Sequence, residues 1–235
     1  MSPGHPSPVR VRHPGRKEAT GAGRPTARRE RAADAVVHAA GLAFGLAGCL
    51  VLAAVAAPHA DARRVAALVP YAAGLLSMLA CSALYNLAPD GAPRTALLRR
   101  LDHAAIFAMI AGTYTPVALL AIGGAWGWGL LAGVWAGAGA GAALKLLGPG
   151  RLERFSVAAY LLLGWSGVVP LRPLLDALAG PDLALLAAGG LLYSLGVVVH
   201  LWERLPYHDA IWHAFVLAAA GCHYAVVFRL VASAA

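Results

Sequence analysis

Residues 101–147 read LDHAAIFAMIAGTYTPVALLAIGGAWGWGLLAGVWAGAGAGAALKLL, and between Asp102 and Lys145 they hold no Asp, Glu, Lys or Arg. A helix crossing the hydrocarbon core of a bilayer needs about 20 apolar residues at a rise of about 1.5 Å each. The stretch is long enough for two such helices. The pair Gly123 and Gly124 marks the reversal between them. A helix of a water-soluble domain would interrupt such a run with a polar face every turn. The fold is therefore expected to be all-α and shaped by a membrane.

Working outward, five further apolar blocks lie at 33–57, 65–87, 155–175, 183–202 and 208–231. With 101–121 and 124–147 they predict a seven-transmembrane helical bundle over residues 31–235. Breakers separate the blocks: Pro58 and Asp61, then "APDGAPR", "GPGR", "AGPD" and "ERLPY". Pro116 and Pro170 fall within or near the ends of spans, where membrane helices tolerate kinks. Composition agrees. The chain is 60% hydrophobic and 13% charged, with a mean hydropathy of +0.67, whereas soluble domains carry roughly 25% charge. Cys49, Cys81 and Cys222 all sit in apolar blocks without CxxC spacing, which argues against a disulfide framework or a thiolate metal site.

Residues 1–30 are rich in Pro, Gly and Arg and hold almost nothing large and apolar, so they are expected to be a disordered basic tail. The first apolar block follows too late for a secretory signal and is read as a retained first helix. Eight of the 19 Lys and Arg lie in or just after the tail, at Arg10, Arg12, Arg16, Lys17, Arg24, Arg28, Arg29 and Arg31. No nucleic-acid motif accompanies them. They are read as an orientation signal that also touches anionic lipid heads, with the bilayer as partner and nucleic acid excluded. With the N-terminus inside, Arg94, Arg99, Arg100, Lys145, Arg151, Arg154 and Arg204 join the tail on the cytosolic side. Only Arg63, Arg64, Arg172 and Arg229 fall outside. The imbalance predicts N-in and C-out.

This topology places His38, Ser82, Asn86, Asp102, His103, His200, His208, Asp209 and His213 near one membrane face, although they come from five separate spans. Ionisable groups inside a membrane are costly unless paired or wetted, which makes them functional candidates. Their common depth predicts a cytosol-facing polar cavity. Asp209 and His213 are four apart and share a helix face, whereas His208 and His213 point about 140° apart. His223 lies roughly 15 Å deeper than His213 and is read as a hydrogen-bonded core residue. Against the functional reading, Asp102 could be a helix N-cap, Ser82 a packing hydroxyl, and His103 and His200 ordinary interfacial histidines.

The stretches "DAVVHAAG", "CSALYNL", "RRLDHAAIFAMIAGTYTP", "LLLGW" and "GGLLYSLGVVVHLWERLPYHDAIWHAFVLAAAGCHY" resemble the hemolysin III family, within the wider group of progestin and adipoQ receptors. The resemblance runs from about residue 30 to the end. It implies seven helices, a cytosolic N-terminus, residence in the cell membrane and a zinc site near the cytosolic face. In the receptor relatives the ligands are a His ending a Ser-x-x-x-His motif on the second helix and two His four apart on the seventh. An Asp early in the third helix contacts the zinc-bound water.

Carried over residue by residue, the metal positions are Asn86, Asp209 and His213, and Asp102 and Ser82 are the catalytic candidates. Asn86 and Asp209 depart from the family's histidines, and a carboxamide is a poor zinc ligand. Either the site recruits His208, His103 or His38, or zinc has been lost and a hydrogen-bonded cluster remains; the departures favour loss. The resemblance then implies a channel-like or sensor protein affecting membrane permeability or lipid state. The alternative is a zinc-dependent hydrolase of lipid amides such as ceramide, with a lipid as substrate or ligand. The orientation is checked with reporter fusions: one after Ala235 reads outside and one before Arg10 reads cytosolic, whereas both ends on one side would mean a miscounted span.

Overall fold

The computed structural model describes residues 25–89, 93–148 and 153–233. Its elements are helices α1 (Pro25–Ala56), α2 (Ala62–Asn86), α3 (Thr95–Pro116), α4 (Gly124–Leu147), α5 (Glu153–Gly164), α6 (Leu171–Ala177), α7 (Gly180–Leu201) and α8 (His208–Ala232). There is no strand among the described residues. Helix α1 begins at Pro25, so the tail boundary expected at residue 30 falls inside its first two turns; the rest of that expectation, residues 1–24, lies outside the described residues.

Six helices are long and apolar enough to cross a membrane. These are α1, α2, α3 with its extension to Ile122, α4, α7 and α8. The block expected as one span at 155–175 is a bent pair of helices. Ser156–Val168 and Leu171–Ala177 meet at 60°, so the count reaches seven only if the pair makes one crossing. Pro170 sits at the bend as the residue before α6. It has no N–H to continue the helix, and its ring excludes the preceding carbonyl. Pro116 acts differently. It ends the regular part of α3, and Val117–Ile122 continue as a π-helical segment to the glycine turn. Gly123 and Gly124 take φ of 62° and 53°, a left-handed conformation open to glycine at no steric cost. The sequence pair that divides the third and fourth spans is thus the turn itself.

Large apolar side chains such as Val36, Phe44, Leu50, Val69, Leu147, Leu162 and Val169 point outward, as lipid-facing residues do. Inside, Tyr71, Leu75, Met78, Leu79, Ala105, Met109, Val227 and Val231 form one core cluster. Helix α1 packs on α2 and α8, α2 on α3, α3 on α4, and α7 on α8. The α2–α3 contact is made backbone to backbone. A Cβ on Gly74 would stand 2.7 Å from the Ala108 carbonyl oxygen, and one on Gly112 would stand 2.6 Å from that of Pro70. In lipid, where apolar burial does not drive helices together, such close van der Waals approach is the main source of association.

This contact is tested by Gly112→Ala. The added methyl meets backbone and should cost about 1–3 kcal/mol, read as a lower thermal unfolding midpoint in detergent. Gly133→Ala, whose Cβ meets nothing within 4 Å, should leave the midpoint unchanged or slightly raised. Equal effects of the two substitutions would contradict the packing described.

Candidate functional site

Three helices each place two polar groups one turn apart, so that each pair shares a face. These are Asp34 and His38 on α1, Ser82 and Asn86 on α2, and Asp209 and His213 on α8. Helix α3 adds Asp102 about two turns after it enters. Asp34, His38 and Asp102 are buried, at 7%, 6% and 9% exposure, in a bundle meant for lipid.

Asp34 is the hub. Its Oδ1 lies 2.6 Å from His213 Nδ1 and 3.5 Å from His38 Nδ1, while its main-chain oxygen lies 2.8 Å from His38 Nδ1. Both partners of these nitrogens are acceptors, so each imidazole donates from Nδ1 and keeps its lone pair on Nε2. Those lone pairs face α2. His38 Nε2 stands 3.2 Å from Ser82 Oγ, and His213 Nε2 stands 3.5 Å from Asn86 Nδ2. Asn86 Nδ2 also donates to the main-chain oxygen and hydroxyl of Ser82, at 3.0 and 3.3 Å. The buried Asp102 carboxylate lies close to the Ser82 side chain. The two imidazoles meet edge to face, with centroids 4.4 Å apart. Asp34, His38, Ser82, Asn86, Asp102 and His213 thus form one connected polar group drawn from α1, α2, α3 and α8.

Of the positions singled out in the sequence, Ser82, Asn86, Asp102 and His213 come together here. Asp209 stands apart: its carboxylate is 3.1 Å from His208 Nδ1, and its side chain is 41% exposed. His208 therefore faces Asp209 and takes no place beside His213. The His103 side chain is in none of these contacts; its main-chain oxygen accepts from Tyr160 Oη at 3.0 Å. His200 packs against Trp212, with ring centroids 5.2 Å apart. His223 is held by the Leu186 carbonyl at 3.3 Å, as a core histidine would be.

Sequence reasoning missed Asp34. The signal was present in "DAVVH", inside the first apolar block, which repeats the four-residue spacing of Asp209 and His213.

Among the described residues, Asp34, His38 and His213 form a group of metal-ligating side chains, with one ligand atom from each within 4.8 Å of the others. The zinc positions carried over by resemblance fit poorly. Asn86 offers its amide hydrogens to Ser82 and His213, and the Asp209 carboxylate lies against His208.

Residues 28–224 match the family described as Haemolysin-III related. The chain is 37% identical to Hemolysin-3 of Bacillus cereus over 190 residues, covering 80% of this chain and 86% of that protein. It is 32% identical to the Hemolysin-3 homolog of Bacillus subtilis (strain 168), over 86% of this chain and 95% of that one. The human monocyte to macrophage differentiation factor is 30% identical over 129 residues, about half of each chain.

The hub is tested by a double-mutant cycle on unfolding in detergent with Asp34→Ala and His213→Ala. A charged hydrogen bond in a buried setting should couple the pair by about 1.5–3 kcal/mol. Additive effects, with coupling below about 0.5 kcal/mol, would mean that the two side chains do not meet.

Proposed function

The chain belongs to the haemolysin-III related family of multi-pass membrane proteins, and from that premise we propose that it is an intramembrane hydrolase acting on an acyl bond, most naturally an amide, of a bilayer lipid. The observation that carries this reading is the Ser82 hydroxyl, placed between the imidazole of His38 and the carboxylate of Asp102 and bonded by the Asn86 amide. Polar groups so arranged inside an apolar bundle can take up a proton and steady a polarised carbonyl, and a lipid is the substrate class with direct access to them.

In this reading Asp102 takes a proton from an attacking water. The water oxygen forms the new bond to the acyl carbon. The Asn86 amide, turning from its 3.5 Å contact with His213, donates a hydrogen bond to the carbonyl oxygen as charge develops on it, which is where a donor helps most. The carbon–nitrogen bond then breaks, and the proton held by Asp102 passes to the leaving nitrogen. His38, fixed by Asp34, keeps Ser82 in place. Substitution at positions 86 and 209 had favoured a non-enzymatic reading. The connected group weakens that ground, because it includes Asn86 as a donor and does without Asp209.

A second reading, a protein that alters membrane permeability, is favoured by the name of the bacterial relatives, Hemolysin-3. The two separate in one preparation. Purified protein in vesicles carrying a trapped dye and long-chain lipid amides should release fatty acid without releasing dye. Asp102→Asn should lower the hydrolytic rate by about 100-fold or more, the scale of a lost acid–base group. Dye release without hydrolysis, unaffected by that substitution, would favour the second reading.

A further inference from the structure

A serine or threonine hydroxyl inside a membrane helix usually gives its proton to a carbonyl one turn back on its own helix. Ser77, Thr113, Thr115 and Ser194 do so here, at 2.7–3.0 Å. Ser82 is different. Its Oγ stands 3.2 Å from Nε2 of His38, a nitrogen that carries a lone pair because the ring's proton sits on Nδ1 against Asp34. A lone pair only accepts, so Ser82 is the donor.

The imidazole is held in its turn. His38 is buried, and its Nδ1 lies 2.8 Å from the Asp34 main-chain oxygen, with the Asp34 carboxylate at 3.5 Å. Hydroxyl, imidazole and carboxylate stand in the order of a nucleophile, its base and the group that orients the base. The carboxylate also steadies the imidazolium formed when Nε2 takes a proton. Asn86 supplies the remaining part. Its Nδ2 is 3.3 Å from Ser82 Oγ, so a carbonyl carbon bonded to that oxygen brings its own oxygen within reach of the same amide.

We propose that Ser82 is a nucleophile with His38 as its base and Asp34 as the positioning residue of that base, so that the acyl group passes through an ester on Ser82. This rests on the hydrolase reading and divides its reaction in two. In the first step Ser82 Oγ bonds the acyl carbon as its proton passes to His38 Nε2. The carbon–nitrogen bond breaks, the proton on His38 goes to the leaving nitrogen, and the amine departs. In the second step Asp102 takes a proton from water, and the water oxygen attacks the ester carbon. The bond from that carbon to Oγ breaks, and the proton held by Asp102 returns to Oγ. One water has then cleaved one amide.

The experiment uses the full chain in detergent. A fluorophosphonate, which bonds phosphorus to an activated serine oxygen with loss of fluoride, reads the nucleophile without lipid turnover. The expected result is one adduct per chain, located on Ser82 by peptide mass spectrometry and absent from Ser82→Ala. His38→Gln should slow labelling by about 100-fold or more, the scale of a lost general base. Asp34→Asn should slow it by about tenfold or more through a misdirected imidazole, and Asp34→Glu should restore part of the rate. Asp209→Asn should leave labelling within about threefold of the parent, as a change outside this group. Each variant is accepted only if it unfolds cooperatively; should Asp34→Asn fail to fold, His38→Gln and Asp34→Glu carry the comparison. With a long-chain lipid amide, added hydroxylamine should divert the acyl group to a hydroxamate without slowing amine release. Asp102→Asn should accumulate the acyl ester on Ser82. A parent chain that takes no label, or Ser82→Ala releasing fatty acid at the parent rate, overturns the proposal, and the second result leaves the hydrolase reading in place. Labelling at Ser82 that needs His38, in a chain that cleaves no lipid amide, would retire the amide reading and keep Ser82 as the nucleophile towards another acyl donor, an ester lipid.

Discussion

The structure turns on one buried carboxylate. Asp34 enters the bundle on α1 and must find its hydrogen bonds within the chain, because an unsatisfied charged group in hydrocarbon costs several kcal/mol. It finds them on His213 of α8 and His38 one turn along its own helix. That need ties the first membrane helix to the last. It also turns the two imidazoles so that their free nitrogens face α2. Every other polar contact of the site follows from this orientation.

The α2–α3 contact supplies the opposing wall. Gly74 and Gly112 let the two backbones meet, which fixes the separation of the helices that carry Ser82 and Asp102. A bulkier pair would part them, and with them the Ser82 hydroxyl and the Asp102 carboxylate. The far side is fastened differently. Arg229 reaches Asp182 at 2.8 Å, holding α8 to α7, and Arg63 donates to the Leu119 carbonyl where the π-helical segment leaves spare acceptors. Salt bridges and backbone contacts thus hold one end, while the other keeps the linked imidazoles and carboxylates that chemistry needs.

Much of this was legible in the sequence. Long apolar runs divided by Gly and Pro can only be membrane helices, and the Gly123–Gly124 turn was readable because no other residue fits it so cheaply. Pro170 marked a place where a span can kink, but not the size of the 60° bend, since hydropathy measures length and polarity and not direction. In the candidate site, Ser82, Asn86, Asp102 and His213 were picked by common depth and by the family resemblance. Depth says nothing about which way a side chain turns. It therefore grouped Asp209 and His208 with them, although Asp209 faces His208. Asp34 was overlooked, although it stands inside the first apolar block, four residues before His38.

The consequence is a site whose centre lies between the first and last helices, with the motif residues of α2 and α3 as its flank. The claim that Asp34 organises this centre is met most directly by nuclear magnetic resonance of protein labelled with 15N at histidine. His213 should appear as the neutral tautomer protonated at Nδ1. That proton should be shifted far downfield by its 2.6 Å contact, and Asp34→Asn should move it strongly while Asp209→Asn leaves it in place. A His213 signal indifferent to Asp34 and responsive to Asp209 would contradict the account.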